Sequence, residues 1–164
     1  TGNSILIGSE DPECDPKEWI PNPDEFNREI TDSQWKAQVY RCMRRIPTLE
    51  EPSRKRGVVD LYDVSDDWLP IYDSTRIKGY YMAIGSSGNQ FKNAPIAGHC
   101  MAELIEACEK GQNHDEDPVQ VKTVYTGLTL NMGFYSRNRE INPNSSFSVN
   151  GLSLIHISEP TRPS

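Results

Sequence analysis

The chain has 164 residues, enough for one domain with a hydrophobic core, and 35% of them are hydrophobic. Its formal net charge of −7 argues against nucleic acid or an anionic membrane surface as a partner, because both bind basic surfaces. No apolar run approaches the roughly 20 residues that a membrane-spanning helix needs. The four cysteines lack metal-type spacing, so we expect reduced thiols in a cytoplasmic protein without a metal site.

Two short apolar runs in the first part of the chain, 3–7 and 57–64, are predicted strands. Between them, residues 10–27 are acidic and rich in proline, which is typical of a solvated loop. A calcium loop is the alternative for the carboxylates of this stretch, but the glycine and terminal glutamate of such loops are missing.

The first helix is predicted over 32–46, with Thr31 or Asp32 as its N-cap and Pro47 ending it. Its apolar residues recur at helical spacing and predict one buried face: Trp35, Val39, Cys42, Met43 and Ile46. Arginines crowd the last turn, where they complement the negative end of the helix dipole. We favour that structural role for them over an anion site.

The segment 65–71 predicts a turn that leads into an extended stretch. The acid pair Asp66 and Asp67 could be catalytic carboxylates, but acidic residues in turns more often accept hydrogen bonds from nearby backbone N–H groups. Further along, residues 112–118 predict an acidic loop and 119–125 an edge strand. Arg137 and Arg139 lie in the polar ending that follows.

The stretch from Gly79 to Pro95 predicts a buried strand, a turn of small residues and the start of a helix. Asn93 is the expected N-cap, with Pro95 in the first turn and Gly111 as the C-cap of a helix that ends near residue 110. Free N–H groups at that helix start suit an anion or an electron-rich ring edge. An ordinary strand–turn–helix corner is the alternative, because a G-x-x-G alone does not distinguish the two.

Together these segments resemble a known family. Val64 to Ile71 reads V-S-D-D-W-L-P-I, Gly79 to Pro95 reads G-Y-Y-M-A-I-G-S-S-G-N-Q-F-K-N-A-P, and an A-E-L-I helix follows. These runs resemble V-T-P-D-x-x-P-I and G-h-h-h-A-x-G-x-S-G-H-G-F-K-x-x-P in the C-terminal half of the D-amino acid oxidase superfamily of FAD-dependent oxidoreductases. The sarcosine and glycine oxidase branch is the most similar.

The resemblance implies an α+β chain that is a fragment of a larger architecture, in which an α/β FAD-binding domain joins an antiparallel substrate domain. The N-terminal Rossmann half would be absent, since no G-x-G-x-x-G occurs in the sequence. Residues would then divide into part of the substrate domain with mostly antiparallel strands (1–78), the last strand, loop and helix of the FAD domain (79–111), and a C-terminal extension (112–151). The chain would need its missing N-terminal half as a partner and would be inactive alone.

The resemblance also implies residue roles. The isoalloxazine ring of FAD would be lined by Gly85, Ser86, Ser87, Gly88, Asn89, Gln90 and Phe91. Lys92 would hold the carboxylate of the substrate, and Tyr62 would approach the substrate. The substrate would be a small amine, amino acid or N-methyl amino acid, whose C–N bond is oxidised by hydride transfer to the flavin. A flavin-binding assembly or partner protein of the same fold, without turnover, is the alternative.

The sequence departs from the family pattern at several positions. Asn89 and Gln90 stand where the family often has His-Gly, and Asp66 replaces a proline. Asp60 aligns with the cysteine that carries covalent flavin in the sarcosine oxidase branch, so the resemblance implies non-covalent FAD. The last residues, 152–164, resemble translated sequencing-adapter DNA, so we expect them to be a non-native tail.

Overall fold

Two α-helices and two small antiparallel sheets make up most of the regular structure among the described residues. The structure is a computed structural model, and it describes residues 5–8, 18–88 and 90–145. The chain divides into two units, Thr1–Leu61 and Tyr62–Ser164. Helices beside antiparallel strands confirm the predicted α+β class. The assignment of segments to a substrate domain and an FAD domain stays a prediction.

The first unit contains helix α1, Asp32–Arg45, close to its predicted range. Thr31 is its N-cap and forms a capping box with Gln34, in which each side chain bonds the backbone N–H of the other residue. The buried face is narrower than predicted. Val39 is buried, whereas Ile46 at the C-cap is 41% exposed.

The described parts of the two predicted early strands are irregular, so those predictions were wrong there. Residues 5–7 and 57–64 form neither strands nor helix. A strand exists only where a neighbour pairs with its backbone, and side-chain bonds compete with such pairing. In the second segment the Asp60 carboxylate accepts the N–H of Leu61, and Val58 is 87% exposed. Residues 10–17 of the acidic stretch and the tail 152–164 lie outside the described residues.

The second unit contains both sheets. Strand β1, Ile71–Ser74, pairs antiparallel with β2, Tyr81–Ile84, so that Ile71 lies opposite Ile84. Strand β3, Gln120–Lys122, pairs antiparallel with β4, Thr129–Asn131, which leads into a 3₁₀ helix, Met132–Tyr135. The predicted edge strand over 119–125 is therefore confirmed at its centre, with a shorter range.

Helix α2, Gln90–Glu109, begins three residues before the predicted N-cap. Asn93 is therefore not the cap, and Pro95 lies inside the helix instead of in its first turn. Proline at that position removes one backbone hydrogen bond, so the sequence favoured a later start. The predicted end is confirmed: Gly111 has a φ of +98° and its N–H donates to the carbonyl of Cys108.

The core of the second unit lies between α2 and the strands. Its buried members are Tyr72, Cys100, Leu104, Val119, Val121 and Met132. On α2, Cys100 and Leu104 are buried, but Ile96 and Ile105 are exposed. Strand β2 was expected to be buried, and this was wrong for its end, because Ala83 and Ile84 are exposed. The end of β2 therefore reaches the surface where the loop to α2 begins.

Candidate functional site

The loop between β2 and α2 turns sharply through a series of left-handed residues. Gly85, Ser87 and Gly88 have φ values of +65°, +49° and +78°. Such angles cost a residue with a Cβ about 1–3 kcal/mol, so Ser87 must be held there by its surroundings. Ser87 is fully buried, and its hydroxyl donates to the carbonyl of Gly85. The loop is therefore a fixed turn.

Asp63 is the anion that this turn binds in the structure. Its carboxylate accepts the backbone N–H of Ser86 at 3.1 Å and also the Ser86 hydroxyl. Its backbone carbonyl accepts the N–H of Ser87 at 2.9 Å. A turn of successive N–H groups binds anions well, and here an aspartate of the same chain fills that role.

The electrostatics of Asp63 agree with this geometry. Burial would raise the pKa of the Asp63 carboxyl, but hydrogen bonds from the Ser86 side chain and from the backbone of Ser86 and Gly85 outweigh burial and lower it. The carboxylate is therefore charged at neutral pH. Asp63 was not among the predicted site residues; its signal in the sequence is an acidic residue between Tyr62 and Val64, in a segment otherwise predicted to be a strand.

Tyr62 lies against the same loop. A Cβ added at Gly88 would come within 2.8 Å of the Tyr62 ring, so the ring packs on the Gly88 backbone. Gly88 is exposed, and Tyr62 is 62% exposed. The structure thus brings together two residues that the sequence analysis assigned to substrate and flavin separately.

The first turn of α2 continues this surface. Phe91 is fully exposed and Lys92 is exposed beside it. Gln90 is half-buried, and its side-chain amide lies 2.9 Å from the hydroxyl of Tyr72, which anchors the helix start to β1. Asn89 lies outside the described residues. Of the predicted ring-lining residues, Gly85 and Ser87 are buried, whereas Gly88 and Phe91 face solvent.

The turn at 65–70 is fixed by a buried ion pair. Arg139 donates to both carboxylate oxygens of Asp67, at 2.6 Å and 3.1 Å, and also to the carbonyl of Leu69. Burial would raise the pKa of Asp67, but hydrogen bonds from the Arg139 side chain and from the N–H groups of Leu69 and Asn142 lower it to about 2. Asp67 also accepts the Leu69 N–H at 3.1 Å, which confirms the predicted turn role over a catalytic one.

A second ion pair involves Asp73 of strand β1. The buried carboxylate of Asp73 accepts the N–H of Arg137 at 2.7 Å and its guanidinium at 2.9 Å. His114 is buried beside it, with Nε2 3.7 Å from Asp73 and Nδ1 accepting the N–H of Val119. These contacts join the polar ending of the chain to β1. The sequence analysis placed both arginines in that ending without a role.

The loop and α2 start form an open surface. Two surface grooves, of about 570 and 350 Å³, are lined by other parts of the second unit and include no residue from 85 to 92. Within the described residues, no group of three or more His, Cys, Asp and Glu side chains is arranged to hold a metal ion. Neither described helix is long and apolar enough to cross a membrane.

This surface fits one part of FAD, its flat ring. Gly88 offers an exposed backbone without a Cβ, and the aromatic rings of Tyr62 and Phe91 offer apolar faces beside it. Lys92 adds a positive charge. The sequence contains no G-x-G-x-x-G, the motif that binds the pyrophosphate in dinucleotide-binding folds.

A family model for FAD dependent oxidoreductases, the DAO family, matches residues 1–104. The match covers more than half of the chain and includes the loop and most of α2. The chain therefore belongs to this family of FAD-dependent oxidoreductases, with FAD as the cofactor and a small molecule as the substrate. Comparisons with curated proteins and with solved structures gave no match.

Proposed function

We propose that the chain belongs to an enzyme that oxidises the C–N bond of a small amino acid or N-methyl amino acid, as in the sarcosine and glycine oxidase branch. The observation that carries this is the exposed surface on which Tyr62 packs against Gly88, beside Phe91 and Lys92. Bound FAD would supply the acceptor for two electrons. The C–N single bond becomes a C=N bond as the substrate loses two electrons and two protons.

Gly88 and Phe91 are the residues proposed to contact the isoalloxazine ring. Both are exposed, and Gly88 allows close approach because nothing projects from its Cα. Gly85 and Ser87 are buried, so their proposed role is to shape the loop beneath the ring. Gln90 is proposed to act through its hydrogen bond to Tyr72, which fixes the start of α2. The proposed FAD site is non-covalent, because Asp60 cannot form the thioether that a cysteine would.

Lys92 is proposed to bind the substrate carboxylate. It is exposed in the first turn of α2, where the helix dipole disfavours a cation. A carboxylate bound there would gain both the ammonium group and the positive end of the dipole, and this orients the substrate for reaction at its α carbon. Tyr62, whose ring packs on Gly88, is proposed to complete the substrate site.

The experiment is a flavin spectrum of the intact protein, followed by anaerobic addition of candidate substrates. We expect FAD absorbance in the purified protein and bleaching by an N-methyl amino acid or a small amino acid. Absence of FAD would contradict the cofactor site itself. FAD that no amine or amino acid bleaches would instead indicate a flavin-binding assembly protein of the same fold.

A further inference from the structure

In the loop between β2 and α2, Ser86 and Ser87 already donate hydrogen bonds to Asp63. The N–H and hydroxyl of Ser86 both point to the Asp63 carboxylate, and the N–H of Ser87 bonds the Asp63 carbonyl. An N–H group that donates within the chain is not available to the ring edge of a flavin. The backbone N–H groups of Ser86 and Ser87 are therefore not available to stabilise negative charge on a flavin.

The position of Asp63 also places a negative charge close to the exposed loop. The carboxylate lies 3.1 Å from the Ser86 nitrogen, and the Cα atoms of Ser86 and Gly88 are at most about 8 Å apart, so a group in contact with Gly88 lies within roughly 16 Å of the carboxylate. Because Asp63 is exposed, water screens its charge, and at such distances the Coulomb interaction changes an equilibrium by about twofold or less.

The other charges near the loop have the opposite sign. Lys92 is a cation in the first turn of α2, and the start of that helix carries a partial positive charge. The negative charge of Asp63 therefore acts against these two positive charges. The loop therefore combines an exposed carboxylate, bonded to Ser86, with the positive end of α2 that follows it.

The geometry points to Asp63 as a positioning residue with two effects: it holds residues 85–88 in the shape that presents Gly88, and its charge makes the bound flavin harder to reduce. This inference rests on the proposed function, because it needs FAD on this loop. It assigns to Asp63 a role in tuning the flavin that is distinct from the substrate contacts proposed for Lys92 and Tyr62.

The test compares Asp63→Asn with Asp63→Glu in the intact flavoprotein, measuring the FAD dissociation constant and the flavin midpoint potential. The Asn variant loses the charge and cannot accept every donor of the loop. We expect roughly tenfold weaker FAD binding and a slightly more positive potential, by up to about 10 mV for a two-electron couple, which corresponds to the twofold change. The Glu variant keeps the charge, so its potential should stay near that of the wild type.

Ser86→Ala separates the two effects, because it removes one donor and leaves the carboxylate. We expect weaker FAD binding with a wild-type potential. An Asp63→Asn protein that binds FAD with an unchanged potential overturns the electrostatic role, and unchanged FAD affinity in it overturns the positioning role. If circular dichroism shows that Asp63→Asn does not fold, Ser86→Ala decides the positioning role: unchanged FAD affinity overturns it. A wild-type protein that binds no FAD contradicts the proposed function, and this measurement precedes all variants.

Discussion

Arg139 forms a two-pronged ion pair with Asp67, which lies 72 positions earlier in the chain. Asp67 is fully buried and Arg139 is 9% exposed, so little water reaches the pair. The same guanidinium bonds the carbonyls of Leu69 and Ser136. One arginine thereby joins the V-S-D-D-W-L-P-I turn to the polar ending of the chain.

We expect Arg139→Ala to destabilise the protein by about 3–5 kcal/mol, because it leaves the Asp67 carboxylate buried without its cation. Arg139→Lys should be intermediate, since an ammonium keeps the charge but cannot bond both oxygens in the same way. The measurement is the free energy of unfolding in urea. Arg76→Ala is the control, because Arg76 is exposed and its loss should change stability by less than about 0.5 kcal/mol. Equal effects of the two alanine variants would contradict the role of the ion pair.

The pH dependence of stability should report the same pair. The pKa of Asp67 is lowered from 3.8 to about 2, so its charged form is favoured by folding. This contributes roughly 2 kcal/mol above pH 3.8, which is lost as the pH falls from there through about 2. Urea unfolding between pH 5 and 2 measures it. Asp67→Asn should be less stable at neutral pH and should lose less stability over this range; an unchanged slope would show that other acids account for it.

A side chain at position 88 should lower the stability of the protein. Its φ is +78°, and a Cβ would come within 2.8 Å of the Tyr62 ring. We expect Gly88→Ala to cost about 1–3 kcal/mol of stability, from backbone strain and displacement of the ring.

Two other glycines separate these causes. Gly79 has a φ of +74° but no atom within 4 Å of its added Cβ, so Gly79→Ala measures the backbone cost alone. Gly98 lies inside α2 in open space, and Gly98→Ala should stabilise the protein by about 0.5–1 kcal/mol. Thermal unfolding of all three variants gives the comparison. If Gly88→Ala lowers the free energy of unfolding no more than Gly79→Ala does, the clash of the added Cβ with the Tyr62 ring does not contribute to the loss.

Lys92→Met tests the proposed carboxylate contact. We expect kcat/KM for amino-acid substrates to fall by roughly ten- to a hundredfold, mainly through KM, because a charge-assisted hydrogen bond is lost. Amines without a carboxylate should react as before, and the flavin spectrum should not change. Lys78→Met, which removes another exposed lysine outside the loop, is the control. A similar loss for both kinds of substrate would contradict binding of the carboxylate by Lys92.

Local patterns were sufficient for the start of α1 and the end of α2. The cap at Thr31 and the left-handed Gly111 are properties of a few neighbouring residues, and the predicted N-cap (Thr31 or Asp32) and C-cap (Gly111) rested on them. The motif from Gly79 to Pro95 likewise identified the loop that the family model includes. Where local rules compete, the prediction failed: Pro95 argued for a late start of α2, but the helix begins at Gln90.

Contacts between distant residues required the tertiary structure. The sequence by itself determined the α+β class, the start of α1, the end of α2 and membership of an FAD-dependent family, because these depend on residue type and spacing. It could not show that the Asp63 carboxylate accepts a hydrogen bond from Ser86, or that Arg139 binds Asp67. Both contacts depend on which groups folding brings within about 3 Å of each other. The fold decided that the acids near the motif position its turns, and that Gly88, Phe91 and Lys92 stay exposed.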